Sequence, residues 1–191
     1  MRVSAEPSDD SLGHRVTVEA QRRLRDLIAQ ERKRARFHID LIQRGDPSAS
    51  PDRVAHVILE RWTKVATVEG GVTGAAGLFG VPLNVLLFTY FQVAVVVSIA
   101  ESYGIALEGR AGEEAVLDVI GRAHGVPDLV RAGPQVLGSL ARMLAVRHGL
   151  GAMGRLVPMI AAPISAALNR RGMHRTGREA LHRFGNIVMI Q

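Results

Sequence analysis

The residues with chemistry to offer are few. Cysteine is absent, which excludes a disulfide framework, a thiolate nucleophile, a Cys-ligated zinc and an iron–sulfur cluster. The seven histidines, at 14, 38, 56, 124, 148, 174 and 182, form no HExxH and no His–carboxylate spacing suited to a metal. Glu31 and His38 fall on one helix face and read as a satisfied core pair. Ser139, in Leu137-Gly138-Ser139-Leu140-Ala141, lacks the second glycine of a nucleophile elbow. Gly149-Leu150-Gly151-Ala152-Met153-Gly154 spells GxGxxG, but it follows a basic helical stretch and its first downstream carboxylate is Glu179, so it reads as a helix connection. The Gly-rich run from Gly70 ends in Phe79-Gly80-Val81-Pro82 where a P-loop needs Gly-Lys-Ser/Thr. No catalytic residue, metal, cofactor or nucleotide is therefore expected. A hydrolase would have to rest on Glu69, Glu101 or a histidine, with no motif behind it.

The polar residues inside the most apolar stretch are more informative. No charge occurs from Gly70 to Ala100. Within that run Asn84, Ser98 and Ser102 share a helix face with Gln92 nearby, a polar seam that serves either helix packing or a pocket between helices. The glycines at 71, 74, 77 and 80, with Gly70 and Gly74 in GxxxG spacing, let backbones approach closely. Gly74 and Gly77 thus point to tight packing, Pro82 to a helix start, and Asn84 to a cap at that start.

These side chains need helices to position them. Leu24, Leu27, Ile28, Ala35, Ile39 and Ile42 recur on one face, so the spacing predicts an amphipathic helix over about 17–43. Ser50-Pro51 opens a second helix, to about Glu69, with Val54, Ile58, Trp62 and Val65 as its buried stripe. A Gly-rich turn and an apolar helix over about 83–103 follow, closed by Gly104 in a left-handed cap. Further helices are expected around 113–120, after Pro134, over 156–168 and over 174–184. No stretch alternates with period two. The expectation is an all-α, single-domain bundle of six or seven helices: a flexible 1–16, then one domain over 17–191, with basic helices to 69, the apolar hairpin to 104, an acidic 105–130 and a basic 131–191.

Length and charge set the partners. The chain has 191 residues, 47% apolar, enough to bury one core. Residues 131–191 carry nine arginines against one glutamate, whereas 101–130 carry two basic and six acidic residues. Only one aromatic, Phe184, accompanies the basic third, which disfavours nucleic acid. Arg170, Arg171, Arg175 and Arg178 follow an apolar stretch, the layout of an interfacial anchor on anionic lipid. The polar, acidic opening Met1–Asp10 has no apolar h-region, so a cytoplasmic location is expected.

The block Glu69-Gly70-Gly71-Val72-Thr73-Gly74-Ala75-Ala76-Gly77-Leu78-Phe79-Gly80-Val81-Pro82-Leu83-Asn84, with a long apolar helix closing in Ile99-Ala100-Glu101-Ser102-Tyr103-Gly104, resembles the EcsC protein family. Val157-Pro158-Met159-Ile160, Ala167-Leu168-Asn169 and Gly177-Arg178-Glu179-Ala180 with Phe184 resemble its C-terminal signature. The family often carries aspartate where this chain has Asn84. A weaker likeness runs to helical domains accompanying membrane-associated bacterial GTPases. The resemblance implies a bacterial, mostly helical protein; the founding member belongs with an ABC-transporter system, and no catalytic activity comes across.

Together these readings lead to a non-enzymatic accessory or adaptor protein at the cytoplasmic face of the inner membrane, peripheral or partly inserted, touching anionic lipid or a membrane protein complex. Glu69, Gly74, Gly77, Pro82, Asn84, Gln92, Ser102, Tyr103 and Asn169 are its candidate motif or pocket residues. The alternative is a carrier or sensor that holds a lipid or other apolar ligand between helices, with Asn84, Gln92 and Ser102 lining the pocket.

Overall fold

The computed structural model describes residues 9–76, 81–126 and 158–189, and every regular element among them is a helix. α1 spans Asp9–Gly45, α2 Pro51–Ala75, α3 Val81–Ser102, α4 Gly109–Ala123 and α5 Pro158–Met189. Five helices among the described residues thus replace the six or seven expected. Two of the expected helices are one continuous α5, and the helix expected after Pro134 lies outside the described residues, as do Ser139 and the GxGxxG stretch. Asn169–Met173, between the two expected helices, is itself helical. Its glycine serves packing: a Cβ at Gly172 would meet the Phe88 ring at 2.5 Å. Pro163 lies within α5, early enough to remove only one backbone hydrogen bond.

Helix ends follow local chemistry. Ser50 has extended φ/ψ, its hydroxyl accepts from the Arg53 N–H at 3.2 Å, and Pro51 opens α2 as expected. Gly104, at φ 72°, closes α3: its N–H donates to the Glu101 carbonyl at 3.0 Å, and the Ile105 N–H reaches the Ala100 carbonyl at 2.9 Å. Two boundaries differ from expectation. α1 starts at Asp9 rather than near Thr17. α2 runs through Gly70 and Gly71 to Ala75 instead of stopping at Glu69, because α5 packs against that glycine face.

α3 is the central element. Phe91–Ala100 are all buried, enclosed by Leu24, Ile28, Ala35 and Ile39 of α1, Val54, Ile58, Leu59 and Ala66 of α2, Val116, Val119 and Ile120 of α4, and Met173, Ala180 and Phe184 of α5. Burying each such large apolar side chain contributes about 1.5–3 kcal/mol. Leu83–Ser102 is long and apolar enough to cross a membrane, with mean hydropathy 2.0, yet 61% of that stretch is buried inside the fold. Only its beginning, at Leu83 and Leu86, is exposed. Val65, expected in the buried stripe of α2, is exposed; the buried face turns instead through Thr63, Ala66, Gly70 and Thr73 toward α5.

α2 and α5 run antiparallel, with Leu59 against Gly177, Gly71 against Ala166, and Gly70 against Ser165 and Asn169. Three carboxylates of the acidic 101–130 stretch pair with α1. Arg25 pairs with Glu113 at 2.6 Å, Arg36 with Glu101 at 2.9 Å, and Arg32 with both Glu101 and Glu108. Glu31 is buried, but it bonds the Tyr90 hydroxyl at 2.8 Å and Arg34 at 2.6 Å rather than His38. His38 Nδ1 has no partner, and burial, with Arg61 nearby, pushes its imidazole pKa down.

Candidate functional site

Three residues singled out from distant parts of the chain meet at the connected end of the α2–α3 hairpin, where α2 ends and α3 begins. The Asn169 amide, on α5, donates to Glu69 Oε2 at 2.9 Å and to Asn84 Oδ1 at 2.7 Å. Gly70 makes this possible, because a Cβ there would lie 2.6 Å from Asn169 Nδ2 and 2.9 Å from the Ser165 carbonyl oxygen. Thr73 donates to the Glu69 carbonyl at 2.9 Å, one turn before the helix ends. Asn84 therefore joins α3 to α5 and is not a helix-start cap. Pro82 sits in the first turn of α3, where its missing N–H removes no helical bond. Gly74 is buried near the end of α2, and Gly77 lies outside the described residues.

Glu69 is the anomalous member. Its Oε1 is buried without a hydrogen-bond partner. Burial pushes its carboxyl above the ordinary carboxylate range, an effect that the Thr73 hydroxyl and the Asn169 amide oppose. The cluster can hold a proton on Glu69, but it presents no nucleophile beside a base. It ties three helices together at one point.

Gln92, Ser102 and Tyr103 go elsewhere. Gln92, fully buried, accepts from His124 Nε2 at 2.7 Å and from the Thr176 hydroxyl at 3.2 Å, bridging α3, α4 and α5. Its Nε2 is buried without a partner. Ser102 bonds its own helix at the Ile99 carbonyl, and Tyr103 donates to Asp52 at 2.8 Å. Burial, with the Asp52 carboxylate, pushes the Tyr103 phenol far up. Asn84, Gln92 and Ser102 thus engage three different sets of partners. Glu101 is held by Arg32 and Arg36 as a structural ion pair. No group of three metal-capable side chains occurs among the described residues.

The surface separates into two kinds of cation. Most α1 arginines facing the fold are matched by carboxylates, and Arg183 of α5 pairs with Asp118. Arg170, Arg171, Arg175 and Arg178 are exposed along α5 and make no ion pair among the described residues. Lys64 of α2 is likewise exposed and unpaired, and it lines a cavity with Arg170 and His174. Toward the hairpin end, Val68, Val72, Leu83, Leu86 and Ile164 are exposed apolar side chains. Sequence reasoning found the α5 arginines by their clustering. It missed Lys64, whose neighbours exist only once α2 and α5 pack, and the pairing of Glu69 with Asn84 and Asn169, which no local spacing reveals. Comparison of the chain with protein-family models, with curated proteins and with solved structures finds no match.

Proposed function

We propose that this protein is a non-enzymatic, EcsC-like accessory or adaptor that docks on the cytoplasmic face of a bacterial membrane through the uncharged end of its α2–α3 hairpin. One observation carries the reading. Exposed Val72, Leu83 and Leu86 lie in the run without charge, with exposed Val68 and Ile164 on the adjoining α2 and α5 turns, and behind them stand the unpaired cations Lys64, Arg170 and Arg171. From Val72 back to Lys64 along α2 is about 12 Å, at about 1.5 Å per residue. That depth suits apolar side chains seated about 5–10 Å into the headgroup–acyl boundary with cations at headgroup level. The buried second half of α3 supports partial insertion of the tip rather than a span.

The polar lock of Glu69, Asn84 and Asn169 fits this role by holding α3 and α5 to α2 where the tip begins. Each basic residue close to an anionic leaflet contributes about 1 kcal/mol, screened beyond about 8 Å at physiological salt. Flotation with vesicles of phosphatidylglycerol or of phosphatidylcholine, at low and high salt, tests the proposal. Binding to the anionic vesicles that weakens with salt and with R171Q/R175Q/R178Q is expected. Equal binding to both vesicle types, indifferent to salt, or binding to neither, refutes it.

A further inference from the structure

A cavity of about 500 Å³ lies between α2 and α5, just behind the apolar end. Thr63 and Thr67 of α2 line it, with Lys64, Arg170 and His174 around them and Glu60 at the same wall. The Thr63 residue is only 6% exposed, and its hydroxyl oxygen is buried with no hydrogen-bond partner. A buried hydroxyl left unpaired in a protein is costly, and such groups are otherwise almost always satisfied. The Thr67 hydroxyl donates to the Thr63 carbonyl, so it does not serve the Thr63 hydroxyl. Lys64 and Arg170 have no carboxylate partner among the described residues.

We infer that this cavity binds a phosphate ester. The phosphate oxygens accept from Lys64, Arg170, the Thr63 hydroxyl and the His174 ring. Arginine, through its planar fork, and lysine, as a point charge, are the two side chains that recognise phosphate most often. Glu60 faces the other portion of the ligand, where a carboxylate accepts from hydroxyl or ammonium groups. The volume exceeds what inorganic phosphate fills and falls within the range of small-ligand sites, about 300–1,000 Å³, so the ligand carries an alcohol portion. Val68, also in the lining, gives the cavity an apolar margin on the side of the hairpin end. A lipid headgroup and a soluble phosphate ester share this chemistry. The lipid source rests on the membrane reading above; the soluble source does not.

Isothermal titration of the full chain with sn-glycerol 1-phosphate and with inorganic phosphate, beside flotation on phosphatidylglycerol vesicles, tests the inference. Saturable binding of glycerol 1-phosphate, tighter than inorganic phosphate, is expected. Each of K64Q and R170Q should weaken it about tenfold, the scale of one charge-assisted hydrogen bond. T63V should weaken it several-fold without lowering thermal stability, since that hydroxyl has no partner to lose. R175Q/R178Q, outside the cavity, should leave it unchanged. If T63V, which removes no charge, weakens flotation along with glycerol 1-phosphate binding, the ligand is a lipid headgroup. If T63V weakens glycerol 1-phosphate binding and leaves flotation unchanged, the ligand is a soluble ester. No saturable binding, or binding that K64Q/R170Q leaves intact, overturns the inference, whereas salt-insensitive flotation counts against the membrane reading alone.

Discussion

Gly70 and Gly71 are neighbours on α2, yet alanine should affect them with opposite sign. A methyl at position 70 would stand 2.6 Å from Asn169 Nδ2, 2.9 Å from its Cγ and 2.9 Å from the Ser165 carbonyl oxygen. The last contact is backbone, so rotating Asn169 away does not relieve it and α2 must part from α5. Overpacking of this kind costs about 1–3 kcal/mol. Displacing the Asn169 amide also removes its bond to Glu69, and hydrogen bonds to charged groups contribute about 1.5–3 kcal/mol. Replacing glycine by alanine within a helix returns about 1 kcal/mol. The net expectation for Gly70→Ala is a loss of about 1.5–5 kcal/mol, a fall in Tm of about 3–20 °C for a chain of this size. At Gly71 the methyl would meet only the Ala166 Cβ at 3.9 Å, an ordinary contact, so Gly71→Ala should gain about 0.5–1 kcal/mol. Urea melts of both variants measure the difference. A Gly70→Ala protein as stable as Gly71→Ala would refute the account of how α5 packs on α2.

Glu69 gives a pH signature. Its folded pKa is raised, so the native state binds more protons than the unfolded state above the ordinary value near 4.5, and its contribution to stability falls as pH rises through the raised pKa. Glu69→Gln keeps an acceptor for Asn169 without the charge, and urea midpoints measured across pH should show a flatter decline than wild type; an unchanged slope would contradict the burial argument. Asn84→Asp would place a second carboxylate on the amide that already serves Glu69, so the variant should be less stable at pH 8 than at pH 5 relative to wild type, and Glu69→Gln should relieve most of that loss. Additive effects in that double-mutant cycle would show that the two side chains do not share the Asn169 amide.

Local signals were readable where one residue type decides a conformation. Ser50-Pro51 marks the start of α2 and Gly104 the end of α3, because capping and positive φ are properties of a few consecutive residues. The α1 stripe of Leu24, Ile28, Ala35 and Ile39 was equally legible, since period 3.6 survives without knowledge of the neighbours. Gly70 and Gly71 misled because glycine's low helix propensity reads as a break, while here its missing Cβ admits another helix. Glu69, Asn84 and Asn169 each stood out, but their meeting across three helices is a product of packing. The acidic 101–130 segment showed its sign in the sequence, but the pairing of Glu101, Glu108 and Glu113 with α1 arginines only in the fold.

The absence of native cysteine allows the docking surface to be mapped with single labels. Val72→Cys and Leu86→Cys lie at the uncharged end, whereas Phe37→Cys, equally exposed, lies on α1 away from it. Each is coupled to an environment-sensitive fluorophore and mixed with phosphatidylglycerol vesicles carrying a quencher in the acyl region. A blue shift and quenching at positions 72 and 86, with neither at 37, is the result the account predicts. No change at 72 and 86 while the protein floats with the vesicles, or the same change at all three positions, would contradict docking through the hairpin end.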